Sequence, residues 1–350
     1  VIAYTVITSY QFKGGGDILH LIFGTDRTTG MYIIAGFVIL FTAAAGMASV
    51  AYLDRIIGGL IVVTVLGSLP ILLNAAGGWS TVTAKLPPDH FTLFSTMSPD
   101  QAFGLLLPTM LLLVGNQGMY QKFFSARSER DAKLAVYGWI IGTLVLETAL
   151  ITFAVFGSSF LSIDNPRETI PVSAKLGLPP WIGAFLIGGI FAKVISTANN
   201  YLFSPATNLI HDVYLRFLNP TAGERQTLLV SRLIVVALGL FALLQAAHFE
   251  SILKAALYAY TIYGAAVTPS VLAVFFWKRA TTSGAIASIT LGAAVTILWN
   301  FMGYTLDAVY PAVGASVAAL VVVSLLSPPP AESKWKPFFE AEAAGGERAH

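Results

Sequence analysis

Residues 191–214 read FAKVISTANNYLFSPATNLIHDVY and continue the apolar run WIGAFLIGGI at 181–190. A run this apolar reads as a membrane-spanning helix, since about 20 such residues cross a bilayer. Yet Lys193, Ser196, Thr197, Asn199 and Asn200 fall within about two helical turns. Polar groups at that depth cost free energy unless something binds them. Ser196 and Thr197 lie three and four positions after Lys193, so the three share one face. Two adjacent hydroxyls and a backbone carbonyl are hard oxygen ligands suited to a small alkali cation. The same hydroxyls can instead bond back to carbonyls one turn earlier, and the two asparagines can link helices. Ser204-Pro205 predicts a kink, because proline removes one backbone bond and crowds the preceding turn.

The rest of the chain repeats that apolar character. Of 350 residues, 56% are hydrophobic and 11% charged, against roughly a quarter charged in a soluble domain. The sequence is that of an all-α polytopic membrane protein. A net charge of +2 carries no signal for nucleic acid. The absence of cysteine excludes disulfides and thiolate metal sites, and the five histidines are scattered, so neither a metal cluster nor an organic cofactor is expected. The chain opens at Val1 inside an apolar run, without Met or a signal-peptide pattern, and reads as a piece lacking its natural N-terminus.

Hydropathy predicts about ten spans, at 1–12, 31–52, 55–75, 102–121, 135–159, 181–205, 229–248, 252–277, 282–302 and 308–327. Placing the QKFFSARSERDAK loop inside puts most of the 20 Lys and Arg residues on that side, together with the C-terminus. The expected location is the plasma membrane, or the inner membrane of a bacterium. Residues 1–327 read as one transmembrane domain and 328–350 as a disordered or interfacial cytoplasmic tail. Segments 76–101 and 160–180 read as external cover or as a lid. FKGGGDIL at 12–19 lacks the Gly-Lys-Ser/Thr ending of a phosphate loop and reads as a flexible helix end.

A second polar break lies in LLLVGNQGMYQKFF at 111–124, where Gly115-Asn116-Gln117-Gly118 interrupts an apolar span. Interrupted helices of this kind mark binding sites near the bilayer midplane of secondary transporters; an early helix end at Gly115 is the bland alternative. Thr109, Leu112, Leu113, Asn116 and Gln117 are the candidate solute-lining residues of this segment. Tyr260 and Thr261, with Tyr258 and Tyr263, are candidates from LYAYTIYGAA, where the tyrosines can equally be packing groups.

These features together resemble the sodium/solute symporter family. The resemblance rests on Ser196-Thr197, Asp212-Val213-Tyr214 and SRLIVV, and on Asn116-Gln117, Gln121-Lys122 and SARSERDAK. It rests also on AGMASVAYLDRIIGG at 45–59 and FFWKRAT at 275–281, in the family's order along nearly the whole chain. It implies a leucine-transporter-like fold of two inverted repeats without the first two core helices. Residues 1–75 would close the first repeat, 102–277 form the second, and 282–327 add two helices. It implies a sodium site made by Ser196, Thr197 and the carbonyl of residue 193, with Asp54 on the cation pathway. Lys193 departs from the family's small residue at that position.

Lys193 and Glu147 each lie about 12 residues into antiparallel neighbouring spans, roughly 18 Å deep. A lone charge there costs at least about 3 kcal/mol, so an intramembrane Glu147–Lys193 pair is expected; a lysine occupying the cation site is the alternative. The resemblance implies an aromatic near positions 112–113 in sugar carriers, so leucines at 112 and 113 argue against a pyranose. The expected function is sodium-coupled symport of a small polar organic solute, not enzymatic catalysis. Rival expectations are a sensory or regulatory module on the same fold, a proton-coupled or uncoupled carrier with Lys193 in the cation site, and a non-functional fragment.

Overall fold

The computed structural model describes residues 1–44, 47–94, 96–163, 165–249 and 251–339, and of 47–54, 167, 337 and 338 the backbone alone. Among the described residues the regular structure is helical throughout, and nine helices are long and apolar enough to span a membrane. The chain forms two compact units, one of Val1–Ser95 with Gln117–Ile252, the other of Thr96–Asn116 with the chain from Leu253.

In the first unit α1 (Ile2–Phe23), α2 (Arg27–Ala44), α9 (Pro180–Asn208) and α10 (Glu224–His248) enclose one apolar core. Phe12, Val38, Leu202, Val235 and Ala242 are buried in it. A second core lies among α3 (Met47–Ala75), α4 (Trp79–Lys85), α7 (Glu129–Ser158), α8 (Thr169–Gly177) and α9, around Val65, Leu72, Phe153 and Leu186. Leu19 of α1 belongs to the first core and Ile18 to the second, so α1 is wedged between them. The short α6 (Gln117–Phe124) packs on α7 and α9 and buries no residue fully.

Two expectations change here. The span expected at 1–12 is one half of α1, which runs on through Lys13, the three glycines and Asp17 to Phe23. The glycines are a crossing point. A Cβ on Gly16 would meet Met31 N at 2.7 Å and Arg27 O at 2.8 Å, and one on Gly30 would meet Gly16 O at 3.0 Å. Small residues let the α1 and α2 backbones touch, and α1 ends instead at Gly24, whose φ of 68° is left-handed. Second, α3 already begins at Met47, so no interhelical turn lies between residues 52 and 55. The segments expected as external loops contain α4, α8 and two short 3-10 turns.

The second unit comprises α5 (Pro99–Gly115), α11 (Ile252–Phe276), α12 (Thr282–Met302), α13 (Val309–Leu326) and α14 (Glu332–Phe339). A capping box of Ser98 and Gln101, with Pro99 in the first turn, starts α5. Gly292 rests against Ala265 O and Gly284 against Leu320 O, so small residues again set the helix spacing. Of the tail expected at 328–350, the part up to Phe339 includes α14, where the Lys278 ammonium lies 4.8 Å from the Trp335 ring and 5.2 Å from that of Phe339; 340–350 lie outside the described residues.

Candidate functional site

The polar stretch of α9 divides its groups among distinct tasks. Asn199 is fully buried and accepts a 2.6 Å hydrogen bond from the Thr42 hydroxyl, which ties α9 to α2. Asn200 donates to the carbonyl of Ser196 at 2.9 Å within its own helix. Ser196 is buried and Thr197 half-buried beside it. Thr207, ten positions on, bonds back to Phe203 O at 3.1 Å and Ser204 O at 2.7 Å. Among the described residues the Thr197 hydroxyl makes no such bond. The back-bonding alternative therefore does not apply to Thr197. Past Pro205 the helix gives way to a π-helical segment, Leu209–Leu218, a form associated with functional sites.

The helix interruption is formed as well. α5 ends at Gly115, Asn116 is extended with φ −64° and ψ 105°, and α6 starts at Gln117. In the second unit α11 supplies partners for the end of α5. The Tyr263 hydroxyl donates to Gly115 O at 2.9 Å, and Thr268 Oγ1 to Leu111 O at 2.7 Å. These side chains serve carbonyls near a helix end, where four lack an intrahelical donor. Leu112, Asn116 and Thr261 are buried, Thr109 and Tyr260 half-buried, and Leu113 exposed. The Thr109 hydroxyl bonds back to Leu105 O at 3.3 Å.

In the first unit Gln117 exchanges two hydrogen bonds with Asn208, the amide nitrogens donating at 2.5 Å and 2.8 Å. One turn on, the Ser204 hydroxyl donates to Gln121 Oε1 at 3.2 Å. The candidates thus divide by unit: Lys193, Ser196, Thr197 and Gln117 lie in the first, and Thr109, Leu112, Leu113, Asn116, Tyr260 and Thr261 in the second. Asp54 falls in the part of α3 whose side chains lie outside the described residues.

Glu147 and Lys193 are both exposed, and no ion pair or hydrogen bond joins them. A cavity of about 580 Å³ opens between their helices, with Leu150 and Val155 of α7 on one side and Val194 of α9 on another. Asp17 and Glu168 bring carboxylates to its lining. Arg27 bonds Asp17 at 2.6 Å and also Glu168, which fastens the segment before α8 to the C-terminal part of α1 and the start of α2. The hydrogen bond from Arg27 holds the Glu168 carboxyl below the usual carboxylate range, against an opposing push from burial.

The model of the sodium:solute symporter family matches residues 1–292. The chain belongs to this family. It is 28% identical over 348 residues to the high-affinity proline transporter PutP of Bacillus subtilis, covering 95% of this chain and 72% of that protein. It is 25% identical to the sodium/proline symporter of Escherichia coli, covering 97% and 70%. Its fold matches that of a Na+-coupled sialic acid symporter solved in a substrate-bound, outward-open state, with a TM-score of 0.70, 19% identity, and coverage of 94% and 72%. The chain therefore has the leucine-transporter-like fold, and its relatives are transporters rather than enzymes.

Sequence reasoning gave no bonding role to Asn208, Ser204, Gln121 or Thr268, and took Tyr263 as a lining candidate when it caps α5. The signal was present as matched spacing: Gln117 and Gln121 stand four apart on α6, as do Ser204 and Asn208 on α9. It becomes legible only once α6 is known to lie along α9.

Proposed function

We propose that this chain carries out sodium-coupled symport of a compact polar solute of the amino-acid class, by alternating access in the plasma membrane with its C-terminus in the cytoplasm. The observation that carries the reading is the buried Ser196 beside a Thr197 hydroxyl left unbonded in an apolar helix. Hard oxygen atoms so arranged suit a small monovalent ion, and the carbonyl of Lys193 is the third donor proposed. Asp54 is proposed on the ion's path. Asn116, Leu112, Thr109, Leu113, Gln117, Tyr260 and Thr261 are proposed around the solute, and the relatives named as proline transporters make proline the first solute to test. The membrane potential supplies about 2.3 kcal/mol per charge per 100 mV, enough for roughly fiftyfold accumulation.

The test is uptake of labelled proline into proteoliposomes under an imposed sodium gradient. Ser196→Ala and Thr197→Ala are each expected to raise the sodium concentration for half-maximal uptake about tenfold, the effect of losing roughly 1.4 kcal/mol at the ion. Uptake that ignores sodium in the unsubstituted protein overturns the reading. One observation favours a second reading: Lys193 is unpaired among the described residues on the face shared with Thr197. Its ammonium can then stand in for the ion, and Lys193→Ala would confer a sodium dependence absent before.

A further inference from the structure

We infer that Asn208, with Ser204, is a positioning residue that latches the half-helix α6 onto α9. α6 follows the interruption at Asn116 and has no fully buried residue, so core packing contributes little to its place. Two polar rungs join it to α9 instead. Asn208 and Gln117 satisfy each other's donor and acceptor, and one turn away Ser204 donates to Gln121. The rungs straddle Pro205, which has no N–H to give to the helix. Directly beyond Asn208 the backbone enters the π-helical Leu209–Leu218. The latch thus grips α9 where its regular hydrogen-bond ladder is interrupted.

The chemistry of the contact is that of a reversible catch. It is uncharged, and each rung is only partly buried, so release exposes amides and a hydroxyl that water can satisfy. An ion pair or an aromatic plug would impose a larger barrier. Gln117, a candidate solute ligand by sequence, here has both amide atoms engaged by Asn208, so its first role is to hold α6. The link between this catch and transport rests on the symport reading above, whereas the catch itself does not.

Spin labels at Phe124→Cys on α6 and Leu218→Cys beyond α9 test it by distance measurement in the reconstituted transporter. Both positions are exposed, and the sequence contains no cysteine of its own. Asn208→Ala is expected to raise the ratio of detached to docked α6 about tenfold, as for the loss of two modest hydrogen bonds. The exchange Gln117→Asn with Asn208→Gln keeps two amides and their summed side-chain length, and should return the ratio to within about twofold of the start. An unchanged distance distribution in Asn208→Ala, or an exchange that folds without rescue, overturns the latch. Should Asn208→Ala not purify, Ser204→Ala must raise the ratio about threefold, and an unchanged ratio overturns it equally. These distances are read without transport, so a failure of sodium-driven proline uptake would count against the symport reading and leave the latch to stand or fall on its own.

Discussion

Replacing Gly115 by alanine tests how the interrupted helix is held. Gly115 has an ordinary negative φ, so alanine is permitted by the backbone. The obstacle is its neighbour on α11. A Cβ built on Gly115 falls on Thr268 Oγ1, while Thr268 Cβ and Tyr263 Cε1 stand 3.4 Å away in ordinary contact. The hydroxyl cannot yield freely, because it donates to Leu111 O at 2.7 Å. Overpacking of this kind costs about 1–3 kcal/mol, less the ~0.5–1 kcal/mol by which alanine outdoes glycine in a helix. A net loss of about 1–2 kcal/mol is expected for Gly115→Ala. Thr268→Ala alone should lose about 0.5–1.5 kcal/mol with its hydrogen bond. In the double variant the clash disappears with the hydroxyl, so its cost should fall short of the sum by at least about 1 kcal/mol. The assay is reversible unfolding in mixed micelles across the four proteins. Costs that add to within about 0.5 kcal/mol refute the reasoning, since the two sites then do not meet as described.

The same logic predicts opposite fates for two nearby glycines of α1. Gly16→Ala drives a methyl into the backbone of α2 and should cost about 3 kcal/mol or prevent folding, whereas Gly14→Ala meets nothing within 4 Å and should stay within about 0.5 kcal/mol of the parent; melting temperatures of the two purified proteins decide it. The Arg27–Glu168 contact predicts an acid dependence. Because the Glu168 pKa is lowered in the fold, its contribution is complete above about pH 4.3 and is lost as pH falls through the lowered value. Melting temperature followed from about pH 6 downward should therefore fall more steeply in the parent than in Glu168→Gln, and parallel curves would refute the assignment.

Hydropathy is sufficient to place most spans because each must bury its backbone in lipid by the same helical means. It fails at α1, where Lys13-Gly-Gly-Gly-Asp17 looks like a helix end by propensity. Tertiary contact overrides propensity there: the missing side chains are what α2 needs at the crossing. Depth alone also misleads for charge. Glu147 and Lys193 are predicted to meet because both sit about 12 residues into neighbouring spans, but depth fixes only one coordinate. Rotation about each helix and the gap between α7 and α9 decide the rest, and neither is written in the spacing.

Polar residues in an apolar helix invite assignment to a ligand, but the backbone has the prior claim. An interrupted helix exposes carbonyl and N–H groups that lipid cannot satisfy. Tyr263 and Thr268 are committed to α5 carbonyls, Gln117 to Asn208, Asn199 to Thr42, and Thr109 and Asn200 to carbonyls of their own helices. What distinguishes a ligand candidate is therefore a polar group that declines an available local partner. Thr207 takes the carbonyls one turn back along α9, as threonine in such a helix ordinarily can. Thr197, in the same helix, leaves its hydroxyl unbonded among the described residues. Half-buried, that hydroxyl stays open to an ion or to water in a solute path, whereas one sealed away without a partner would lose about 1–3 kcal/mol.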